Sequence, residues 1–414
     1  MQLTKLSRRH FLRGAAISLA TASAPLRATA EIVCHGPKAC ALKPCKPAPN
    51  FDTRAMVPLA RYRPHRDDTY QLKTEPIAGK FFVHNYGHGG AGITMSLGCA
   101  EQVVLHVEAL IEKHGAEIKM PGIAILGGGV MALTAATALA KKYRPRTTID
   151  IYAREFYPGT TSRVAGGQWA PSSVEHDKND AEARALFKTI LTSSFNQLTA
   201  MIGPIYGVSR KTNYTLDTRG GLETAHSLGL IERRELDLPF DQMNCSGHAY
   251  ETLLVEPPIF LKRLHNELVA KLGLPHIHKK TFADPKDDQE LSPDIANLKQ
   301  KIIINCTGLG AGKLFKDDKV RSIKGHLALL PRQPNLDYLF SGYDCGDWVQ
   351  YMFPRGDGVV VGGTYQEAPL HEKTNRAVGN VMARRMDALF KKSELSCDAE
   401  IESSLEELEK HPVA

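Results

Sequence analysis

The segment from Pro121 to Lys142 constrains this chain more than any other. Gly122-Ile123-Ala124-Ile125-Leu126 is a short apolar run, Gly127-Gly128-Gly129-Val130-Met131-Ala132 follows it, and an Ala/Leu-rich stretch continues to about Lys142. The order predicts strand, Gly-x-Gly-x-x-Ala turn and helix. Glycines let the backbone turn tightly and approach a pyrophosphate, whose charge then sits at the helix N-terminus. A second strand is expected over Thr148-Ile149-Asp150-Ile151-Tyr152, ending at Ala153-Arg154-Glu155, about where such units place the acid that holds a ribose 2′-hydroxyl. A glycine fingerprint alone also occurs in structural turns. With strand, helix and acid in place, dinucleotide binding is the better reading, and NAD and FAD both stay open at this point.

The rest of the composition sets bounds. The chain has 414 residues, 43% hydrophobic and 23% charged, which fits a globular protein of about two domains and excludes disorder or a small disulfide scaffold. Of the formal net charge of +7, five charges fall in residues 1–30 as Lys5, Arg8, Arg9, Arg13 and Arg27, with no acid among them. The nearly balanced remainder leaves no electrostatic case for nucleic acid.

Those thirty residues read as a targeting segment. Ser7-Arg8-Arg9-His10-Phe11-Leu12 precedes an apolar stretch from Gly14 to Ala24 and the small-residue end Ala28-Thr29-Ala30. Paired arginines before a weakly apolar run resemble a twin-arginine export signal, which implies the twin-arginine machinery as a partner, a mature chain from near Glu31 and an exported, periplasmic location. The run is too short to span a bilayer, so no stable membrane insertion is expected. A basic amphipathic N-terminal helix is the plainer alternative. No Cys-x-x-Cys pair occurs, so no metal site is expected. Cys34, Cys40 and Cys45 lie close together, and a disulfide there would suit an oxidising compartment. Residues 31–54, rich in proline, read as an extended linker.

Three further segments carry a resemblance. Phe156-Tyr157-Pro158-Gly159-Thr160-Thr161-Ser162-Arg163-Val164-Ala165-Gly166-Gly167-Gln168-Trp169-Ala170-Pro171 resembles the loop after the second strand in the D-amino-acid oxidase and D-aspartate oxidase family. Ile302-Ile303-Ile304-Asn305-Cys306-Thr307-Gly308-Leu309-Gly310-Ala311-Gly312 is similar to that family's late strand and turn beside FAD, and Tyr351-Met352-Phe353-Pro354-Arg355 through Val361-Gly362-Gly363-Thr364-Tyr365 to its substrate-domain strand pair. The family's Arg-Pro strand and His-Asn-Tyr-Gly-His-Gly-Gly turn belong near the C-terminus. Here they stand at the front, as Ala60-Arg61-Tyr62-Arg63-Pro64-His65-Arg66 and His84-Asn85-Tyr86-Gly87-His88-Gly89-Gly90-Ala91-Gly92-Ile93-Thr94. The order is circularly permuted, with Ser96–Lys113 expected as the helix after the turn and 114–121 as the joining loop. The resemblance covers most of residues 55–392 and is weakest over 175–270.

The resemblance implies the chemistry. Arg63 would hold a substrate carboxylate, Tyr351 would contact the same carboxylate, and the Gly90 carbonyl would accept from the substrate amine. Nearby Arg61 and Arg66 are alternatives to Arg63, and His84 and His88 are expected to be structural. FAD would be held by Gly127, Gly128, Gly129, Val130, Met131, Thr160, Thr161, Ser162, Gly167, Gln168, Thr281, Gly308, Gly89, Gly92, Ile93 and Thr94, and by Arg154 or Glu155 at the ribose. Thr94 would open a helix whose positive end favours the reduced flavin. The fold implied is α/β (α+β), a Rossmann-like FAD domain (66–170 and 271–320) with a substrate domain (55–65, 171–270 and 321–395) built on a large mixed or antiparallel sheet, followed by a charged tail (396–414). The reaction implied is oxidation of a D-amino acid, with oxygen as the other small-molecule partner and a homodimer left open. Alternatives are a dehydrogenase using another acceptor and a non-catalytic flavin-binding protein. Where the family carries a second lid tyrosine, this chain has Asp347 and Trp348, and Gln168 and Ala170 also depart from it.

Overall fold

The computed structural model describes residues 45–392 except 119–121, 175, 178, 217, 219, 242, 244, 287–289, 346–347 and 368–373. The leader segment expected to direct export (residues 1–30), Cys34, Cys40 and the charged tail expected over 396–414 lie outside the described residues.

Six strands form one sheet: β2 (Gln71–Ile77), β3 (Lys80–Tyr86), β4 (Ile123–Leu126), β5 (Ile149–Ala153), β9 (Ile277–Lys279) and β10 (Ile302–Asn305), in the order β2-β3-β10-β4-β5-β9. All neighbours run parallel except β2, which pairs antiparallel with β3 at the edge. Parallel strands covered on both faces read as continuous apolar runs, and every residue of β4 and β10 is buried. Ile123 and Ile125 face the main core with helices α1 (Gly92–Ile118) and α2 (Val130–Tyr143), while Ala124 and Leu126 face a smaller cluster with Ile295 of α6 (Pro293–Ala296) and Leu314 of α7 (Gly310–Leu314).

Helix α1 is longer than the sequence suggests. A short 3-10 turn, Gly89–Ala91, feeds it four residues earlier, and it continues past a non-helical His114 because Ile118 is buried in the core. The joining loop expected over 114–121 is correspondingly shorter.

The second sheet holds β1 (Val57–Arg66), β6 (Val208–Thr215), β7 (Arg233–Asp237), β8 (Ser246–Val255), β11 (Val320–Leu330), β12 (Leu339–Cys345), β13 (Trp348–Arg355) and β14 (Gly358–Thr364), in the order β1-β11-β14-β13-β12-β6-β8-β7, with β15 (Gln366–Glu367) also on β11. Its pairs are antiparallel except β12 with β6. Helix α3 (Ala181–Ala200) starts at an N-cap, Asp180, that accepts from the amides of Glu182 and Ala183. It packs on α1. Helix α4 (Gly221–Ser227) precedes β7, α5 (Pro257–Leu272) packs on α2, and α8 (Arg376–Lys392) packs on β11 and β14. Residues 57–118, ahead of the dinucleotide turn, are thus divided between the sheets: β1 in one, β2 and β3 in the other.

Residues 45–54, part of the stretch expected as an extended linker, are docked on the rest of the chain: Lys46 bridges to Phe240, Tyr338 donates to the Pro47 carbonyl at 2.7 Å, and the ring of Phe51 lies 5.7 Å from that of Phe390 on α8. Cys45 and Cys245 are each disulfide-bonded, whereas Cys99 and Cys306 are free and buried. Among the described residues, no helix is long and apolar enough to cross a membrane.

Candidate functional site: two glycine turns and an arginine clamp

Two strand-turn-helix units open at the same edge of the parallel sheet. After β4, Gly127 (φ +126) donates to the Tyr152 carbonyl at 2.8 Å, and Cys306 donates to that of Leu126 at 2.8 Å. The turn is held this close by its own sheet. A side chain at Gly127 would strike the Cys306 carbonyl, and one at Gly128 the Glu155 carbonyl. The loop after β5 closes over the turn, where Ser162 accepts from the Val130 amide at 3.1 Å. The second turn follows β3 and starts α1. A Cβ placed on Gly92 would stand 3.6 Å from Val130, so the N-termini of α1 and α2 lie side by side. Their unpaired amides and aligned dipoles favour a negatively charged ligand.

The second turn is gripped from the other sheet. Gly87 has no room for a side chain because Arg66 of β1 stands against it, and Gly89 (φ +52) is blocked by the Ser173 carbonyl. Arg66 is a structural clamp: it binds Asp317 at 2.7 Å, the Tyr86 hydroxyl donates to the same carboxylate at 2.7 Å, and the Arg66–Tyr86 pair draws the Asp317 carboxyl below its ordinary value against the cost of burial. Behind the turn, burial pushes His88 down to about 3 and His84 to about 4, so both are neutral at pH 7.

Arg63 and Tyr351 converge although β1 and β13 are separated by β11 and β14. Arg63 lies across Gly325 of β11, with its guanidinium carbon 2.8 Å from where a Cβ would be, and donates to the Thr364 carbonyl at 2.9 Å. Tyr351 lies on Gly362, where a side chain would collide with its ring, and on Gly166. Burial raises the Tyr351 phenol above its ordinary value while the neighbouring Arg63 pulls it back. A cation with parallel donors beside a phenol suits a carboxylate. A Cβ placed on Gly308, in the turn after β10, would stand 3.6 Å from Pro64, so this clamp adjoins the turn beside β4.

The remaining expected residues divide. Ile93 is buried, half-buried Met131 sits in the first turn of α2, and Gly90 is exposed and donates to the Ser173 carbonyl at 3.3 Å. Arg154 and Glu155 are exposed at the end of β5, and Thr160 and Thr161 lead into the Ser162 turn. Thr281 is exposed in the segment after β9, adjoining Ala153 through Lys280. Gly167 and Gln168 belong to the other sheet's edge. Gly167 accepts from Val255 at 2.8 Å and Gln168 donates to Asn213 at 2.8 Å, which orients the Gln168 amide toward β6. Thr94 does not open α1, since the helix begins at Gly92, and its hydroxyl is committed to Ala170, donating to the carbonyl at 2.9 Å and accepting from the amide at 3.2 Å. Only its backbone is left for a ligand. Sequence reasoning missed the glycine floor at Gly325 and Gly362, the Asp317 clamp and the strut Trp169, whose indole donates to the Thr94 carbonyl at 3.2 Å. A glycine inside each of two apolar strands was the available signal for the floor.

The sequence profile of a family described as DAO, FAD dependent oxidoreductase, matches residues 122–405. The chain is 27% identical over 274 residues to the D-amino-acid oxidase of Streptomyces coelicolor, covering 64% of this chain and 77% of that one. It is 26% identical over 254 residues to the D-aspartate oxidase of Homo sapiens, covering 59% and 69%. Among solved structures, iminodiacetate oxidase from Chelativorans sp. BNC1 aligns with a TM-score of 0.45 at 15% identity, covering 66% of this chain and 79% of that one.

Proposed function

Because the chain belongs to the DAO family of FAD-dependent oxidoreductases, with FAD as its cofactor, we propose that it oxidises a D-amino acid to the imino acid. Hydrolysis of the imino acid then gives a 2-oxo acid and ammonia. The residues present fit FAD: the turn after β4 is drawn tight against its own sheet at Gly127 and Gly128, a Cβ on Gly129 would meet only the Ser162 hydroxyl, and the N-termini of α1 and α2 lie side by side where a pyrophosphate would be held. Gly127–Met131 and the Thr160–Ser162 loop would hold the phosphates, Arg154 or Glu155 the ribose, and the Gly89–Thr94 backbone the flavin side. When bound, FAD supplies a two-electron acceptor for the α-hydrogen and passes the electrons to oxygen, giving hydrogen peroxide.

The chain's own part is positioning. Arg63 fixes the carboxylate, Tyr351 donates to it, the Gly90 carbonyl takes the amine, and the glycine floor lets both anchors lie flat on the sheet. The convergence of Arg63 and Tyr351 beside the second glycine turn is the observation that carries the reading.

We also read the chain as circularly permuted, with strands of 66–170 and 271–320 forming a cofactor domain and the others a substrate domain. In support, the family match starts at residue 122, while ahead of it β1 is a strand of one sheet, β2 and β3 are strands of the other, and α1 packs on α2. Export through the twin-arginine route is supported by the leader and by disulfide-bonded Cys45 and Cys245, which suit an oxidising compartment.

The test starts from the mature protein, whose mass should place its first residue near Glu31. Without oxygen, D-amino acids should bleach its visible flavin spectrum and L-amino acids should not. Arg63→Ala should keep FAD and lose at least about 30-fold in kcat/KM, from a charged contact of about 2–5 kcal/mol. A yellow protein that no amino acid bleaches would refute the reading. Faster turnover with an artificial acceptor than with oxygen would make it a dehydrogenase.

A further inference from the structure

We infer that Gln168, Asn213 and Ser341 form the wall that receives the substrate side chain, and that this wall selects an uncharged polar D-amino acid, ending in a carboxamide or hydroxyl, over its apolar isostere. The assignment deepens the amino-acid reading above and rests on it.

Along the sheet order β1-β11-β14-β13-β12-β6, Arg63 stands on β1, Tyr351 on β13, Ser341 on β12 and Asn213 on β6. Ser341 is the register partner of Tyr351, so both side chains leave the same face of the sheet. Asn213 is the partner of Leu339, two residues before Ser341, and therefore shares that face. Gln168 arrives from the loop after β5, two residues beyond Gly166, on which the Tyr351 ring lies. A carboxylate held between Arg63 and Tyr351 thus has the three polar side chains on the side of Tyr351 remote from Arg63.

Asn213 is the hub and is fully buried. Its Oδ1 accepts from Gln168 Nε2 at 2.8 Å and from the Ser341 hydroxyl at 3.2 Å, while its Nδ2 donates to the Tyr214 carbonyl at 3.2 Å. These bonds fix the Gln168 amide as well. One of its N–H groups is spent on Asn213, and the half-buried side chain keeps its carbonyl Oε1 and second N–H for a ligand. The partners these side chains find among the described residues are uncharged.

Behind them the wall is apolar, since Leu254, Leu339 and Phe353 cluster with Tyr351. An apolar substrate side chain would strip water from the Gln168 amide and return no hydrogen bond, which is costly on such a surface. A carboxamide offers that amide both a donor and an acceptor. A purely structural role, tying the loop after β5 to β6, would affect stability and leave selectivity alone.

The experiment measures kcat/KM of the holoenzyme for two isosteric pairs, D-asparagine with D-leucine and D-glutamine with D-methionine. Wild type should favour the carboxamide of each pair by at least about 10-fold, and Gln168→Leu should erase that preference. Ser341→Ala, a smaller change, should lower both ratios about 3-fold and decides the matter if Gln168→Leu does not fold. Binding is read separately from the flavin spectrum: succinamate should bind wild type more tightly than 4-methylpentanoate, its apolar counterpart. Preference for the apolar member of either pair, fastest reduction by a charged D-amino acid, or ratios unchanged in the variants overturns the assignment while leaving amino-acid oxidation intact. Tighter binding of succinamate by a protein that no D-amino acid reduces would keep the polar wall and sink the oxidation.

Discussion

The turns after β4 and β3 look alike in sequence, since each is a glycine run between a buried strand and a helix, but they are compressed by different parts of the molecule. Gly127 and Gly128 are pressed by carbonyls at the ends of β10 and β5, their neighbours in the same sheet. Gly87 and Gly89 are pressed by Arg66 of β1 in the other sheet and by the Ser173 carbonyl. The first turn is a cradle complete within one sheet, whereas the second is a junction that exists only when both sheets are assembled. Glycine in the first lets the turn pack against the strands of its own sheet, and in the second it lets two sheets meet.

The largest effect should follow from a side chain in the cradle. Gly127→Val combines an unfavourable φ with overlap onto a backbone carbonyl, at a cost of about 3 kcal/mol or more. It should abolish FAD retention, read from the visible spectrum of the purified protein. A stable yellow variant would mean that the first turn is no tighter than an ordinary loop.

Acid should separate the turns next. His84 and His88 belong to the second, and the first contains no titratable group. Both histidines have folded values below the unfolded value of about 6.5, so the unfolded chain takes up protons first and stability drains away as pH falls below that value. Between pH 6.5 and 5 the loss should be about 2 kcal/mol for each. The lowered Asp317 carboxyl adds a further loss at still lower pH, since its contribution is present above the unfolded carboxylate value and disappears beneath it. Thermal unfolding against pH should show the decline, flattened in His88→Asn. A flat wild-type curve would remove the distinction.

The smallest effect should come from rejoining the chain. Phe51 and Phe390 are in ring contact, so residues 122–392, a flexible linker of about ten residues and residues 45–121 should fold with FAD bound and a melting temperature within a few degrees of the native order. Failure to bind FAD would show that the second turn needs its covalent continuity with β4.

The same contrast explains what could be read in advance. The β4 turn was legible because every group that shapes it lies in a recognisable strand-turn-helix pattern. Arg63 and Tyr351 were legible only through likeness to a family, since nothing local marks one arginine among Arg61, Arg63 and Arg66. The part each plays is decided by tertiary partners: Arg66 finds Asp317 and Arg63 finds Gly325, each more than 250 residues away in the chain. Strand β7, Arg-Arg-Glu-Leu-Asp with no fully buried residue, has no apolar alternation to betray it. The start of α1 was misplaced because Gly92 sits within its first turn, where helix propensity argues against it and the packing beside α2 prevails.

The floor beneath Arg63 and Tyr351 carries one more consequence. Both anchors rest on peptide backbone at Gly325 and Gly362, so their height above the sheet is a property of the main chain and is insensitive to which side chains surround them. Substitutions around the rim can therefore retune which molecules enter without recalibrating where the reacting carbon stops. In a protein built this way, selectivity and reactivity can drift independently through evolution, because they are written in different atoms.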